Sequence, residues 1–174
     1  MRFSPLVLTL GLAASALSVA SNGQNPPARP DDQIAPRSIA LLKAGETAMA
    51  AGNYAAAEDQ FETALAVDPK NRAVLVAMAR NANKQKLYGK AIKQSRKALA
   101  LEPTDRDALE VQGEAMVQLG AIPRAKENLA KLTTLCGATC PQVAQLNTVI
   151  AKGPAMAVAG PATTTPPTPP KKQN

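Results

Sequence analysis

The sequence contains no histidine and no tryptophan, and aromatic residues make up 2% of its 174 positions. Without histidine there is no imidazole to serve as general base, metal ligand or member of a His-dependent triad. With so few aromatics, a core must be built from Ala, Leu, Val, Ile and Met, which suits closely packed helices better than a β-sandwich. Cysteine is nearly absent as well. Cys136 and Cys140 are the only two, and two thiols without histidine do not make a four-ligand zinc site. Ser, Lys and carboxylates are present, but none converge at a catalytic spacing, so no enzyme is expected and no catalytic residue, cofactor or metal is assigned.

Basic residues are in excess, with 20 Lys and Arg against 13 Asp and Glu and a formal charge of +7. That balance invites a nucleic-acid reading, and the N-terminus argues against it. Arg2 precedes the uncharged run Leu6 to Ala20. The run has about the length of a signal-peptide core and falls short of the ~20 residues of a membrane span. Ser18 and Ala20 put small residues at −3 and −1 of a cleavage site after Ala20, and Ala14 with Ala16 offers a second site. A buried helix or a retained anchor is the plainer alternative. The expectation is a signal peptide over 1–20, removed on export to the periplasm, and a mature protein that meets no nucleic acid.

Ser21 to Pro36 is rich in Pro, Asn, Gln and Asp and reads as a disordered linker, 21–36. From Arg37 to Lys152 the composition turns to Ala, Leu, Lys and Glu. Residues 153–174 are Pro, Thr, Ala and Gly, too poor in burial to offset their ordering entropy, so they read as a disordered tail with polyproline-II stretches. It is either a solvated tail or a spacer toward the cell wall or a partner.

The middle repeats itself. Asp68-Pro69 recurs as Glu102-Pro103, 34 residues on, and Tyr54, Ala57, Ala64 and Leu65 recur as Tyr88, Ala91, Ala98 and Leu99. A period of this length marks stacked helical hairpins. Within the first unit, Leu41, Ala44, Gly45 and Ala48 share a helical face, Gly52-Asn53 makes a turn, and a second helix runs from Tyr54 until Asp68-Pro69 stops it. The least bulky residues pair as Gly45 with Ala57, Ala79 with Ala91, and Gly113 with Ala125, where the two helices of each hairpin are expected to cross most closely. Pro141 to Lys152 carries an apolar stripe of Val143, Leu146, Val149 and Ile150, with Gln142, Gln145 and Asn147 expected to face away. It fits a capping helix, with Pro in its first turn.

These residues resemble the tetratricopeptide (TPR) repeat family. Its pattern is carried by Leu41, Gly45, Tyr54, Ala57, Phe61, Ala64 and Pro69 in the first unit. Leu75, Ala79, Tyr88, Ala91, Ala98 and Pro103 carry it in the second, where Ser95 replaces a bulky residue. The third matches through Leu109, Gly113, Ile122, Ala125 and Leu129, and departs at Leu132 and Gly137. The resemblance implies an all-α solenoid over 37–152, with repeats 38–71, 72–105 and 106–139 and a capping helix 141–152. The closing segment Leu135-Cys136-Gly137 to Cys140-Pro141 is also similar to a group of exported bacterial TPR proteins.

Cys136 and Cys140 flank the turn before the capping helix, and three residues between them allow a small disulfide loop in an oxidising compartment. The spacing is not that of redox motifs, so a structural disulfide is expected. By the resemblance, the first helix of each hairpin lines a concave face that holds a protein or peptide partner, here one of the cell envelope. Position by position this gives Leu42, Glu46 and Met49, then Val76, Arg80, Asn83 and Lys84, then Asp107, Glu110, Glu114 and Val117. A solvated helix face is the plainer reading of the polar ones. Some family members clamp a C-terminal carboxylate with Lys, Asn and Arg. Here those positions hold Leu42, Glu46, Ala77, Asp107 and Val111, so that clamp is absent. The second hairpin concentrates Lys84, Lys86, Lys90, Lys93, Arg96 and Lys97 with no acid from Ala79 to Leu101. Solubility explains such a face, as does a weak contact with anionic lipid or cell-wall polymer. The function expected is a scaffold or adaptor, with a peripheral envelope-binding factor as rival. No oligomeric state is read from the sequence.

Overall fold

The computed structural model describes residues 34–155. The expected signal peptide, the linker up to residue 33 and the tail from residue 156 lie outside the described residues. Seven helices follow in order: α1 Pro36–Ala50, α2 Tyr54–Val67, α3 Arg72–Lys84, α4 Tyr88–Leu101, α5 Arg106–Gln118, α6 Ile122–Cys136 and α7 Pro141–Lys152. Among the described residues there is no strand. The helices form three antiparallel hairpins with α7 on the last, and each hairpin packs on its neighbour. The repeat boundaries and the capping helix agree with the 34-residue period.

The linker ends earlier than its composition implies. Ile34 is buried, the Ala35 N–H donates to Asp68 Oδ2 at 3.0 Å, and Pro36 is the first residue of α1. Proline suits that place because the N–H it lacks would have had no partner within the helix.

Turn chemistry sets the hairpins. Gly52 and Gly120 take φ of +78° and +75° between the helices of the first and third units, and Asn53 Oδ1 accepts from Ala56 N at 3.3 Å to cap α2. At the same place in the second unit stands Lys86, with φ +60°, the non-glycine residue in the left-handed region among those described.

Small residues make room for large ones, not for each other, and this corrects the expected pairs. A Cβ on Gly45 would collide with the Phe61 ring, which fills the space inside the first hairpin. Gly113 is covered from outside its hairpin: a Cβ there would meet Leu146 Cδ2 of α7 at 2.7 Å. Ala79 and Ala91 belong to separate core clusters, the first with Val76, Ala98 and Val111, the second with Ala82 and Ala115. Ser95, in place of a bulky residue, is fully buried and turns its hydroxyl to Ala91 O at 2.7 Å, leaving no apolar plug in the second hairpin.

Polar pins join the first and last residues of two units. Ser38 Oγ donates to Ala64 O at 2.8 Å and accepts from Asn71 Nδ2 at 2.9 Å, with both residues buried. At the equivalent positions 34 residues later, Arg72 forms an ion pair with the buried Asp105, which also caps α5 by accepting from Ala108 N at 2.7 Å. In the third unit a disulfide joins Cys136 to Cys140, with Cα atoms 5.8 Å apart, across the turn from α6 to α7.

The helices α1, α3, α5 and α7 touch in succession, while α2, α4 and α6 make few contacts with one another. Hairpins drawn together along one edge and spread along the other curve the array, with the odd-numbered helices on the concave side.

Candidate functional site

The concave face carries a polar row that crosses three helices. Arg80 on α3 places Nη2 3.1 Å from Asp107 Oδ1 and 3.5 Å from Glu110 Oε2, both on α5. Gln142 on α7 donates to the same Asp107 oxygen at 3.0 Å, and Gln145 donates to Glu114 Oε1 at 3.1 Å. Asn83 Nδ2 donates to Val111 O at 3.1 Å, tying the end of α3 to α5. Asp107, Glu110 and Glu114 lie three and four positions apart on α5, so all three point from one face.

Their charges are not equivalent. Burial pushes the Asp107 carboxyl up, but the Gln142 hydrogen bond and the Arg80 and Arg106 guanidinium groups together hold it below the usual carboxylate range. Glu110 goes the other way. Burial, then Glu114 and Asp107 as like charges, push it up to about 7 against the pull of Arg80. The groove therefore holds one firmly ionised carboxylate and one that changes charge near neutrality.

The expected groove residues separate into three groups. Arg80, Asn83, Asp107, Glu110 and Glu114 are brought together as described, and Glu46 and Lys84 are exposed at the ends of this face. Leu42 and Met49 are half-buried and pack on the cluster around Phe61. Val76 and Val117 are not available to a ligand. They are 4% and 0% exposed, the first packed between α3 and α5, the second against Met116 and Ala125. Their valine side chains stabilise the stack instead.

Gln142 and Gln145 do not face away from the array, which corrects the reading of α7 as a cap alone. They make it a fourth wall of the groove as well. The signal is present in the sequence: residues 142 and 145 flank the apolar stripe on the side that must adjoin α5 once Leu146 covers Gly113.

The basic residues of the second hairpin also divide. Lys90 is tied to Glu58 at 2.9 Å, and Lys84 stands at the concave rim. Lys93, Arg96 and Lys97 are exposed on α4. Where α4 and α6 spread apart, a recess of about 420 Å³ is lined by Arg96, Arg124 and Lys131 with Glu127, Gln112 and Asn128 on its floor and wall. Among the described residues no cluster of His, Cys, Asp and Glu could hold a metal ion, and no helix is long and apolar enough to cross a membrane.

No protein-family model matches the sequence, and no curated protein sequence matches it. Solved structures do. The TPR domain of Sgt2 from Aspergillus fumigatus is similar at 26% identity and a TM-score of 0.62, over 68% of this chain and 80% of that one. TTC0263, a thermophilic TPR protein of Thermus thermophilus, is similar at 25% identity and a TM-score of 0.60, over 66% of this chain and 65% of that one. The first TPR of Spaghetti (RPAP3), bound to the HSP90 peptide SRMEEVD, is similar at 20% identity and a TM-score of 0.61, over 67% and 94%. With three in-phase repeats, seven helices and these likenesses, the folded part of this chain is a tetratricopeptide-repeat array.

Proposed function

We propose that the protein is a non-enzymatic binding module that holds a peptide segment of another protein in the concave groove between α1, α3, α5 and α7. The observation that carries this reading is the row Arg80, Asp107, Glu110, Gln142, a set of fixed polar groups on the concave face drawn from three helices. The similarity to a TPR domain solved with a bound peptide supports it. The partner's chemistry differs from that of an acidic tail. Ala77 and Val111, at two of the clamp positions, are buried, and Asp107 stands at a third. Asp107 and Glu114 repel an approaching carboxylate, so the partner segment is neutral or basic.

The uncharged run before Ala20 and the two bonded cysteines support a periplasmic location, with the partner in the cell envelope. N-terminal sequencing of the native protein tests this part separately. A chain starting near Ser21 in the periplasmic fraction is expected. An intact Met1 on a cytoplasmic protein would overturn the location.

Site-specific photo-crosslinking tests the groove. A photoreactive residue at Glu46 or Lys84 is expected to capture a protein partner in intact cells, and the same residue at Lys93 or Arg96 is not. Adducts only at the two convex positions would end the groove reading. The recess between α4 and α6, with its three cations, favours the second reading, in which an anionic lipid or cell-wall polymer is bound there. Retention on anionic vesicles that is lost with added salt would mark that reading.

A further inference from the structure

The chain leaves α7 in a specific direction. Gly153, at φ +71°, ends the helix and turns the backbone, and the Ala155 N–H then donates to Gln118 Oε1 of α5 at 2.9 Å. This brings residue 155 to the edge of a recess of about 350 Å³ at the concave rim, where Ala155 itself joins Tyr88, Val149, Asn83, Glu114 and Gln118 in the lining. Asn83 spends its Nδ2 on Val111 O and keeps a buried Oδ1 with no donor. The next residues are Met156-Ala157-Val158-Ala159, the last apolar run before the Pro and Thr segment.

We infer that Met156 and Val158 of this chain occupy that recess, with Met156 against the Tyr88 ring and Val149, and a main-chain N–H of 156–158 donating to Asn83 Oδ1. Three features select this occupant. The segment begins at the recess, so it meets the site at very high effective concentration. Its large side chains are apolar where the wall offers Tyr88 and Val149, and a thioether packs well on an aromatic edge. Its backbone carries the donor that the buried amide oxygen lacks, a group costly to leave without one. The inference uses the groove reading only for its consequence. An anchored rim starts residues 159–174 on the concave side, so that tail and partner share one face.

The chain has five methionines and two tyrosines, so the contact can be read in the full-length protein by NMR with methyl-labelled methionine. The Met156 methyl is expected to show a cross-peak to the Tyr88 ring, and Tyr88→Leu is expected to return it to its position in a free peptide. A Met156 methyl already at the free-peptide position in the unaltered chain would overturn the proposal. Met156→Asp serves as a second variant, since residue 156 lies past the last helix. With helical circular dichroism unchanged, it should shift the Tyr88 ring signals. Unmoved ring signals would equally end the idea. Partner adducts at Glu46 that persist when the Met156 contact is not found would overturn this inference and leave the groove standing. A docked Met156 without such adducts supports the inference and removes the groove reading.

Discussion

The first and third hairpins meet the same structural demand by different means. Each must hold the end of its second helix against the start of the unit that follows. The first does so with buried hydrogen bonds from Ser38 and Asn71, and the second substitutes an Arg72–Asp105 ion pair at the same positions. Both pins lie under a complete following hairpin. The third hairpin is followed by α7 alone, 12 residues long, which brings less apolar surface to cover the junction. There the connection is covalent, from Cys136 to Cys140. In a linear array each unit is stabilised only by its neighbours, so the end unit needs a device that the inner ones do not.

The strongest way to break this comparison is at the two glycines. Gly45→Ala drives a methyl into the Phe61 ring, a large side chain enclosed within one hairpin. Gly113→Ala meets two methyl ends of Leu146 on the cap, which can turn aside. We expect a loss of about 3 kcal/mol for Gly45→Ala and about 1 kcal/mol for Gly113→Ala in denaturant unfolding, the range of overpacked cores. Gly113→Leu should approach the larger figure by displacing α7. Equal losses would show that the cap is as rigid as the hairpin interior.

Next in size is the disulfide. Closing so short a loop constrains the unfolded chain by roughly 2 kcal/mol. Cys136→Ser with Cys140→Ser, or reduction, should raise hydrogen exchange over 122–152 while 38–100 stays nearly unchanged. A uniform rise along the array would mean that the third hairpin transmits its loosening and is not an independent end. Thiol counting on unreduced native protein gives the direct check, with no free thiol expected.

A smaller effect comes from Glu110, which takes in the third unit the place of Leu42 in the first. A carboxyl raised from 4.5 to about 7 binds its proton more tightly folded than unfolded. Stability should therefore be greatest at low pH and decline as pH rises from about 4.5 through 7. Partial solvent screening of Arg80 keeps this to about 1 kcal/mol. Glu110→Gln should flatten the pH dependence, and Leu42→Gln should leave no such signature. A decline of unchanged slope after Glu110→Gln would place the titrating group elsewhere.

The smallest concerns the middle unit as a reference for the outer two. Lys86 holds a left-handed conformation that glycine holds in the units on either side. Lys86→Gly relieves roughly 1 kcal/mol of that strain and gives back part of it as unfolded-chain entropy, for a net gain of about 0.5 kcal/mol. Gly52→Lys should lose a similar amount. A loss on Lys86→Gly would mean that the lysine side chain contributes more than its backbone costs.

The repeat period, the hairpin boundaries and the capping helix were legible because proline, glycine and asparagine recur at fixed offsets and act locally. The packing partners were not. Gly45 and Ala57 share a spacing that marks a crossing, but spacing says nothing about the size of what fills it, and the Phe61 ring rather than Ala57 settles on Gly45. Leu146 on Gly113 is a contact between units, which the pattern of one repeat does not contain. The start of α1 was misplaced for a related reason: Ala35 is held by Asp68, a residue 33 positions away. In the groove, residue types were read correctly at Arg80, Asp107 and Glu110, where polar side chains have few places to go. Val76 and Val117 failed because a valine on an inner helix serves the stack as readily as a ligand.

The uneven contacts between helices have a mechanical meaning. With α1, α3, α5 and α7 in unbroken contact and α2, α4 and α6 spread apart, the molecule has one edge that resists stretching and one that does not. Thermal bending then opens and closes the outer spaces, such as the one between α4 and α6, about the inner line as a fixed spine. Dimensions along the concave row change least, so the spacing from Arg80 to Gln142 works as a ruler while the opposite edge works as a fan.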